Sequence, residues 1–438
     1  MDASFSAIAG LVCVPGTWSL IASVQQTELQ VLQLLLQLIV ILLAARTGGL
    51  LFERLGQPRV VGEILAGLLL GPSVLGRLYP EMLNTLFPAE SEPVLRILGQ
   101  LGLILLMLDV GLQFDFGHLQ QSGKAAMSVA LAGIILPFGL GCALAAAMHS
   151  TVAPQQNQWG FMLIVATALS ITAIPILGRI MMDLGLQQTP VGVLTITAAA
   201  IDDALGWILL AAVSGLVSGG FHVGKSLWQL GLLALFVLLC WFVVRPLSRW
   251  LLKLSKSDAG DFNTISLLLL LAFGSAVVTN AIGVFSVFGP FVVGACLSDF
   301  PEVRQVARQR MQGFVAALLL PVFFTFTGLK VNVGVIDTPV LWMWCILITL
   351  VASVGKMAGC GLAARWGGSS WREASMVAIM MNTRALMGLV AINIGRELGV
   401  LPDSVFSMLV IMAVATTVVT VPVLRRLLKS NPTKQVAS

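Results

Sequence analysis

Ala198-Ala199-Ala200-Ile201-Asp202-Asp203-Ala204-Leu205-Gly206-Trp207 puts two adjacent carboxylates in an apolar run, Val191 to Leu216, that has no other charge. The run is long enough for a membrane-spanning helix, which needs about 20 apolar residues. A charge at the centre of a bilayer costs roughly 2.5–3.5 kcal/mol on insertion scales, so intramembrane acids mark an ion or proton path by default. Neighbouring positions on a helix point about 100° apart. Asp202 and Asp203 therefore cannot both face one partner; one can pair with a cation while the other faces a water-filled cavity.

Composition agrees with a membrane setting. The 438 residues are 58% hydrophobic and only 10% charged, with a mean hydropathy of +0.96, whereas soluble domains carry about 25% charged residues. Long Leu/Val/Ala runs exclude a β-barrel, whose strands show weak alternation. The net charge of +5 is not a nucleic-acid footprint, because the basic residues gather at helix ends. Cys13, Cys142, Cys240, Cys296, Cys345 and Cys360 form no CxxC pair and read as small buried hydrophobes. His118, His149 and His222 make no metal-ligand cluster, and no resident cofactor is expected.

An all-α membrane protein of about thirteen spans follows: 30–52, 61–76, 94–113, 125–149, 158–182, 190–217, 227–252, 263–281, 284–299, 313–334, 339–365, 373–396 and 404–424. Residues 1–29 read as an extracytoplasmic extension, apolar from Phe5 to Val24 but interrupted by Pro15-Gly16 and without the basic start of a signal peptide. Residues 30–424 form the transmembrane domain, and 425–438 a short cytoplasmic tail with no soluble domain after it. Of 25 Lys and Arg, eighteen fall in one set of loops, five (Arg77, Arg96, Lys225, Lys330, Arg396) in the other, and Lys356 and Arg384 inside spans. Positive loops stay cytoplasmic, so the N-terminus is expected outside and the C-terminus inside. Spans starting near 125, 158 and 190 recur near 340, 373 and 404, seven spans on, so the triplets 125–217 and 339–424 face opposite ways. Inverted repeats of this kind suit alternating access around a site at the midplane.

Three further features cluster in those triplets. Ala168-Leu169-Ser170-Ile171-Thr172-Ala173-Ile174-Pro175 contains a proline that lacks an N–H and clashes one turn back, so the helix is expected to fail near 171–172. Freed carbonyls and the hydroxyls of Ser170 and Thr172 would then offer hard oxygen ligands for a cation such as Na⁺, together with Asp202 and Asp203. Lys356, in Ser353-Val354-Gly355-Lys356-Met357, and Arg384, in Asn382-Thr383-Arg384, set cations in the second triplet against the acids of the first. Burial raises a carboxyl pKa, nearby cations lower it, and adjacent acids titrate as a coupled pair. Protons and a small cation can then compete for the same oxygens, which is the physical core of antiport. Glu63 reads as a helix-end anchor and Asp109 as a secondary polar group. Gly67 with Gly71, and Gly355 with Gly359, have the spacing of close helix packing.

Taken together these residues resemble the cation:proton antiporter superfamily, in the branch of bacterial Na⁺/H⁺ antiporters, K⁺ efflux proteins and plant cation/H⁺ exchangers. The resemblance rests on Gln57-Pro58-Arg59-Val60-Val61-Gly62-Glu63-Ile64-Leu65-Ala66-Gly67 running into Leu70-Gly71-Pro72-Ser73, on Ser170-Ile171-Thr172-Ala173 with Pro175, on Asp202-Asp203, on Gly355-Lys356, and on Asn382-Thr383-Arg384 running to Asn393-Ile394-Gly395. It implies a mobile core domain and a dimerisation (scaffold) domain, a homodimer, and crossing broken helices at Ser170–Thr172 and Asn382–Arg384. It further implies Asp203 as the cation and proton carboxylate, Asp202 as the partner of Lys356, and electrogenic exchange. The chain departs from the pattern at Ala385, where Gly is frequent, at Asn280 and Ser286, where an acid and a histidine are frequent, and at Gln113, where Glu is common.

The expected function is exchange of Na⁺, Li⁺ or K⁺ for protons in a bacterial inner membrane or a thylakoid, with the preferred ion left open between these. A channel or uniporter would share the acids but needs a filter built by symmetry. An intramembrane aspartyl protease would need two carboxylates facing one bond, which adjacent positions on one helix do not provide. The chain is therefore expected not to be an enzyme.

Overall fold

Apolar runs bounded by Gly, Pro and basic residues leave the backbone one way to satisfy its polar groups in lipid, and that is the helix. A computed structural model describes the backbone of residues 17–113, 123–172, 177, 180–181, 184–186, 189–218, 223–254, 260–284 and 286–429. Every regular element among them is helical. The main helices are α1 (Thr17–Arg54), α2 (Arg59–Leu70), α3 (Glu92–Leu112), α4 (Gly123–Val152), α5 (Gln158–Ser170), α6 (Pro190–Ser218) and α7 (Val223–Leu239). A π turn, Cys240–Val244, carries α7 into α8 (Arg245–Leu254); α9 (Gly260–Ile282) and α10 (Phe288–Leu297) follow. A helical run from Pro301 passes through π turns at Ala307–Met311 and Val315–Leu319 and ends as α11 (Leu320–Leu329). The last four helices are α12 (Pro339–Trp366), α13 (Trp371–Met380), α14 (Ala385–Glu397) and α15 (Asp403–Lys429).

Ten helices among the described residues are long and apolar enough to cross a membrane. The remaining expected spans fall on shorter pieces: α5 at 158–182, α10 at 284–299, and the pair α13/α14 at 373–396. Two boundaries differ from the sequence expectation. Helix α1 starts at Thr17 and runs without a break through residue 30, so the later part of the expected extension is helix; Pro15-Gly16 lies outside the described residues. Likewise α15 continues to Lys429, past the expected start of the tail at 425, and 430–438 lie outside the described residues.

Helix starts are set by local polar chemistry. Asn157 caps α5 by accepting from the Gly160 amide at 3.0 Å, and Thr338 caps α12 from Leu341 at 3.3 Å. Ser370 and Glu373 form a reciprocal capping box at the head of α13, at 3.3 and 2.7 Å, which satisfies amides a helix start otherwise leaves open.

Small residues set how closely helices approach. A Cβ at Gly67 would collide with the Thr325 carbonyl of α11, and one at Gly71 with Leu329. Across the two repeats, Gly133 of α4 lies against Cys360 of α12, and Pro137 of α4 against Gly355. As numbers rise along α4 they fall along α12, so these equivalent first helices of the two triplets run antiparallel. That direction is what inverted repeats require. Helix α5 packs against α14 and α6, and α13 against α12, which brings both interrupted segments to the centre of one bundle.

Candidate ion-binding site

A carboxylate takes the amide at the first interruption. Helix α5 ends at Ser170, and Ile171 is extended (φ −83°, ψ 143°). Instead of continuing the helical ladder, the Thr172 amide donates to Asp202 Oδ2 at 2.9 Å. Pro175, expected to cause this failure, lies outside the described residues.

The second interruption is built from side chains that compete for backbone. Helix α13 ends at Met380 and α14 begins at Ala385. The Thr383 hydroxyl donates to the Met380 carbonyl at 3.1 Å, a local bond of the kind that offers the chain an alternative to helix. The Arg384 amide is taken by Thr417 Oγ1 of α15 at 3.4 Å. The two interruptions touch: Thr172 Oγ1 donates to the Met381 carbonyl at 3.0 Å.

Asp202 and Asp203 have different surroundings. Asp202 and Lys356 are both fully buried, with Nζ 2.7 Å from Oδ1. The same ammonium donates to the Ser170 carbonyl at the end of α5. Both Asp202 oxygens are therefore occupied, one by Lys356 and one by the Thr172 amide. Asp203, 1% exposed, is bridged by neither Lys356 nor Arg384 among the described residues, and its Oδ1 has no hydrogen-bond partner. One turn along α6, the Trp207 indole approaches the Asp203 carboxyl, yet its Nε1 makes no full hydrogen bond. Trp207 is held by stacking on Phe291 of α10, with centroids 6.0 Å apart.

The other expected site residues fall around this centre with altered roles. Ser170 turns its hydroxyl back to the Thr167 carbonyl at 2.9 Å and presents its own carbonyl, not the hydroxyl, to the site. Asn382 sends Nδ2 to Ser353 Oγ at 3.5 Å, and its Oδ1 has no partner among the described residues. Arg384 is completely buried and donates from Nη2 to the Ala352 carbonyl of α12 at 2.6 Å, leaving Nε and Nη1 without partners among the described residues. Glu63 faces a separate cavity of about 230 Å³ with Arg46 and Arg59. Asp109 accepts from Gln113 at 2.8 Å and Gln312 at 3.1 Å, also away from the centre. Trp207, Ala352 and Thr417 were not singled out from the sequence. Only Trp207 carried a signal there, its four-residue spacing from Asp203.

Buried polar groups are satisfied in nine cases out of ten or more. Among the described residues, Asp203 Oδ1 and Asn382 Oδ1 are acceptors without donors, beside the ends of two interrupted helices. These features define a polytopic helical protein with a charged centre where two opposed repeats cross. The family model described as "Sodium/hydrogen exchanger, transmembrane" matches residues 7–430, and the chain belongs to that family. It is 37% identical over 398 residues to the Na(+)/H(+) antiporter NhaS4 of Synechocystis sp., covering 89% of this chain and 96% of that protein. Cation/H(+) antiporter 17 of Arabidopsis thaliana is 36% identical over 390 residues, covering 89% of this chain and 47% of that protein. K(+)/H(+) antiporter 1 of Saccharomyces cerevisiae is 30% identical over 398 residues, with 89% and 45% covered. The chain thus spans about half the length of the plant and yeast relatives. The fold matches the solved sodium proton antiporter MjNhaP1 from Methanocaldococcus jannaschii with a TM-score of 0.62 and 15% identity, covering 91% of this chain and 97% of that one. These relatives are transporters, not enzymes.

Proposed function

We propose that this protein exchanges a monovalent cation for protons across a membrane by alternating access, with Asp203 as the carboxylate that both ions occupy in turn. The observation that carries this reading is the division between the two acids: Asp202 is committed to Lys356 and Thr172, whereas Asp203 keeps an oxygen with no partner among the described residues. Proton and cation compete for that group, so loading one expels the other. Asn382 Oδ1, the carbonyls freed at the two breaks, Ser170 and Thr172 are the oxygens from which further ligands would come. Lys356 holds Asp202 and the end of α5 in place. No resident cofactor takes part; the bound metal is cargo.

Related readings travel with this one. The printed names of the relatives include both Na⁺/H⁺ and K⁺/H⁺ antiporters, and Na⁺, with Li⁺ and K⁺ as competitors, is our choice of cation. Exchange is electrogenic, as the resemblance to antiporters with an acid pair implies. Thirteen crossings follow from the apolar runs, and an outside N-terminus and a cytoplasmic C-terminus from the loop charges. A homodimer formed through the scaffold, in a bacterial inner membrane or a thylakoid, completes the proposal.

The test is proton flux in proteoliposomes carrying a pH gradient, read by a pH dye as Na⁺, Li⁺ and K⁺ are added in turn. Cation-driven dequenching that vanishes in Asp203→Asn supports the proposal and ranks the ions. Equal flux in Asp203→Asn would sink the assignment of that carboxylate, and no cation-dependent flux between about pH 6 and 9, the range near neutrality where such groups work, would sink antiport itself.

A further inference from the structure

Hydrogen bonds at the centre close into a ring. Met381 accepts from Thr172 Oγ1, the Thr172 amide donates to Asp202, and Asp202 is bridged to Lys356. Lys356 sits one helical turn after Ala352 on α12, and Arg384, three residues beyond Met381, donates to the Ala352 carbonyl at 2.6 Å. In an α-helix the carbonyl of residue 352 is the one that accepts the amide of residue 356. Arg384 therefore grips the peptide unit on which the Lys356 turn is hung. A carbonyl oxygen has two lone pairs, so both donors fit at once.

We infer that Arg384 is a positioning residue for Lys356: it fixes the turn Ala352–Lys356 of α12 so that the ammonium reaches Asp202 and the Ser170 carbonyl together. This rests on the antiport reading and deepens it by assigning a task to a buried cation that neither acid uses as a salt-bridge partner. Three facts support it. Arg384 is entirely buried, so its guanidinium is shielded from water and the bond to the Ala352 carbonyl is not exchanged for one to solvent. Its backbone amide donates to Thr417 Oγ1 of α15 at 3.4 Å, so the residue is held from a helix other than α12. And among the described residues it bridges neither Asp202 nor Asp203, so the contact its side chain does make is the one to the Ala352 peptide. The titratable groups that share this environment are Asp202 and Asp203 on α6 and Cys360 on α12.

A positioning role makes a claim about coupling. Without Arg384 the Lys356 turn can shift, so the pH profile of exchange should move as it does when Lys356 itself is lost. The experiment compares R384M, K356M and the double variant in the proteoliposome assay across pH. R384M is expected to lower exchange about tenfold, as for loss of one hydrogen bond to a charged group, and to displace the pH profile in the direction K356M does. The double variant is expected to be no worse than K356M alone, since residues coupled through one backbone turn are non-additive. R384K, which keeps a donor and a charge, is expected to recover part of the rate and the wild-type profile. A lowered rate with an unmoved profile, or effects of R384M and K356M that multiply, overturns the inference. If R384M does not reach the membrane, R384Q takes its place under the same two criteria. Absence of exchange in the wild type would instead be a failure of the antiport reading, so the two can be told apart.

Discussion

Replacing Lys356 by Met keeps the side-chain volume and removes the ammonium, which leaves Asp202 buried opposite nothing. Both partners have no exposed surface, so solvent screening does not soften the loss. Breaking a buried pair from one side costs about 3–5 kcal/mol, because an uncompensated charge stays behind. Unfolding entropy runs at about 2.1 cal/mol/K per residue. Over 438 residues that is about 0.9 kcal/mol/K, and the cost becomes a drop in Tm of about 3–5 °C. The double variant D202N/K356M supplies the control. Exchanging a buried ion pair for neutral side chains is often neutral or stabilising, and the side-chain carbonyl that D202N introduces would still accept from the Thr172 amide. The double variant should therefore melt close to the wild type. Intrinsic tryptophan fluorescence during a thermal ramp in detergent reads all three proteins without requiring transport. K356M melting with the wild type, or a double variant as labile as K356M, would refute the claim that this pair is spent on structure.

Two further perturbations probe the frame around it. Thr172→Val removes the hydroxyl that reaches Met381 while leaving the amide on Asp202, and an unpaired buried carbonyl costs about 1–3 kcal/mol; exchange should fall with a Tm loss smaller than that of K356M, and unchanged exchange would show that contact between the two breaks is dispensable. Gly67→Val drives a side chain into the Thr325 backbone, where overpacking costs about 1–3 kcal/mol or more; the yield of monodisperse protein should drop, while Gly139→Ala, which meets nothing within 4 Å, should behave as wild type.

The architecture was legible in the sequence to the extent that it follows from periodicity and charge. Long apolar runs announce helices whatever their neighbours do, and α4, α6, α12 and α15 lie where the runs are. Asp202, Asp203 and Lys356 stand out because lipid makes any charge conspicuous. What could not be read was partner choice. Ser170 contributes a carbonyl rather than a hydroxyl because its Oγ finds Thr167 within its own helix, and nothing in residue type distinguishes those outcomes. Arg384 looked like a counter-ion for an acid, yet it grips a peptide carbonyl, a target that every residue carries and no motif marks. The π turns at Cys240, Ala307 and Val315 were equally silent. They insert an extra residue into a turn without needing Gly or Pro, and the packing around them decides where.

Asp203 presents the sharpest energetic question in the molecule. An ion removed from water loses several kcal/mol even after relaxation, and this carboxyl recovers little of that, with Oδ1 unmet and only an imperfectly placed indole nearby. A group held for structure would be expected to look like Asp202. Asp203 is better understood as a cost stored at a working site, offset only while an ion or proton is bound, in the manner of other strained functional groups. That view separates two quantities that normally fall together. Asp203→Asn should abolish cation-driven proton flux and yet melt at or above the wild-type temperature, because the amide carries no charge into the bilayer. The opposite pattern, a fall in Tm of the size expected for K356M, would mean that Asp203 has a structural partner and that the free carboxylate on which the antiport reading depends does not exist.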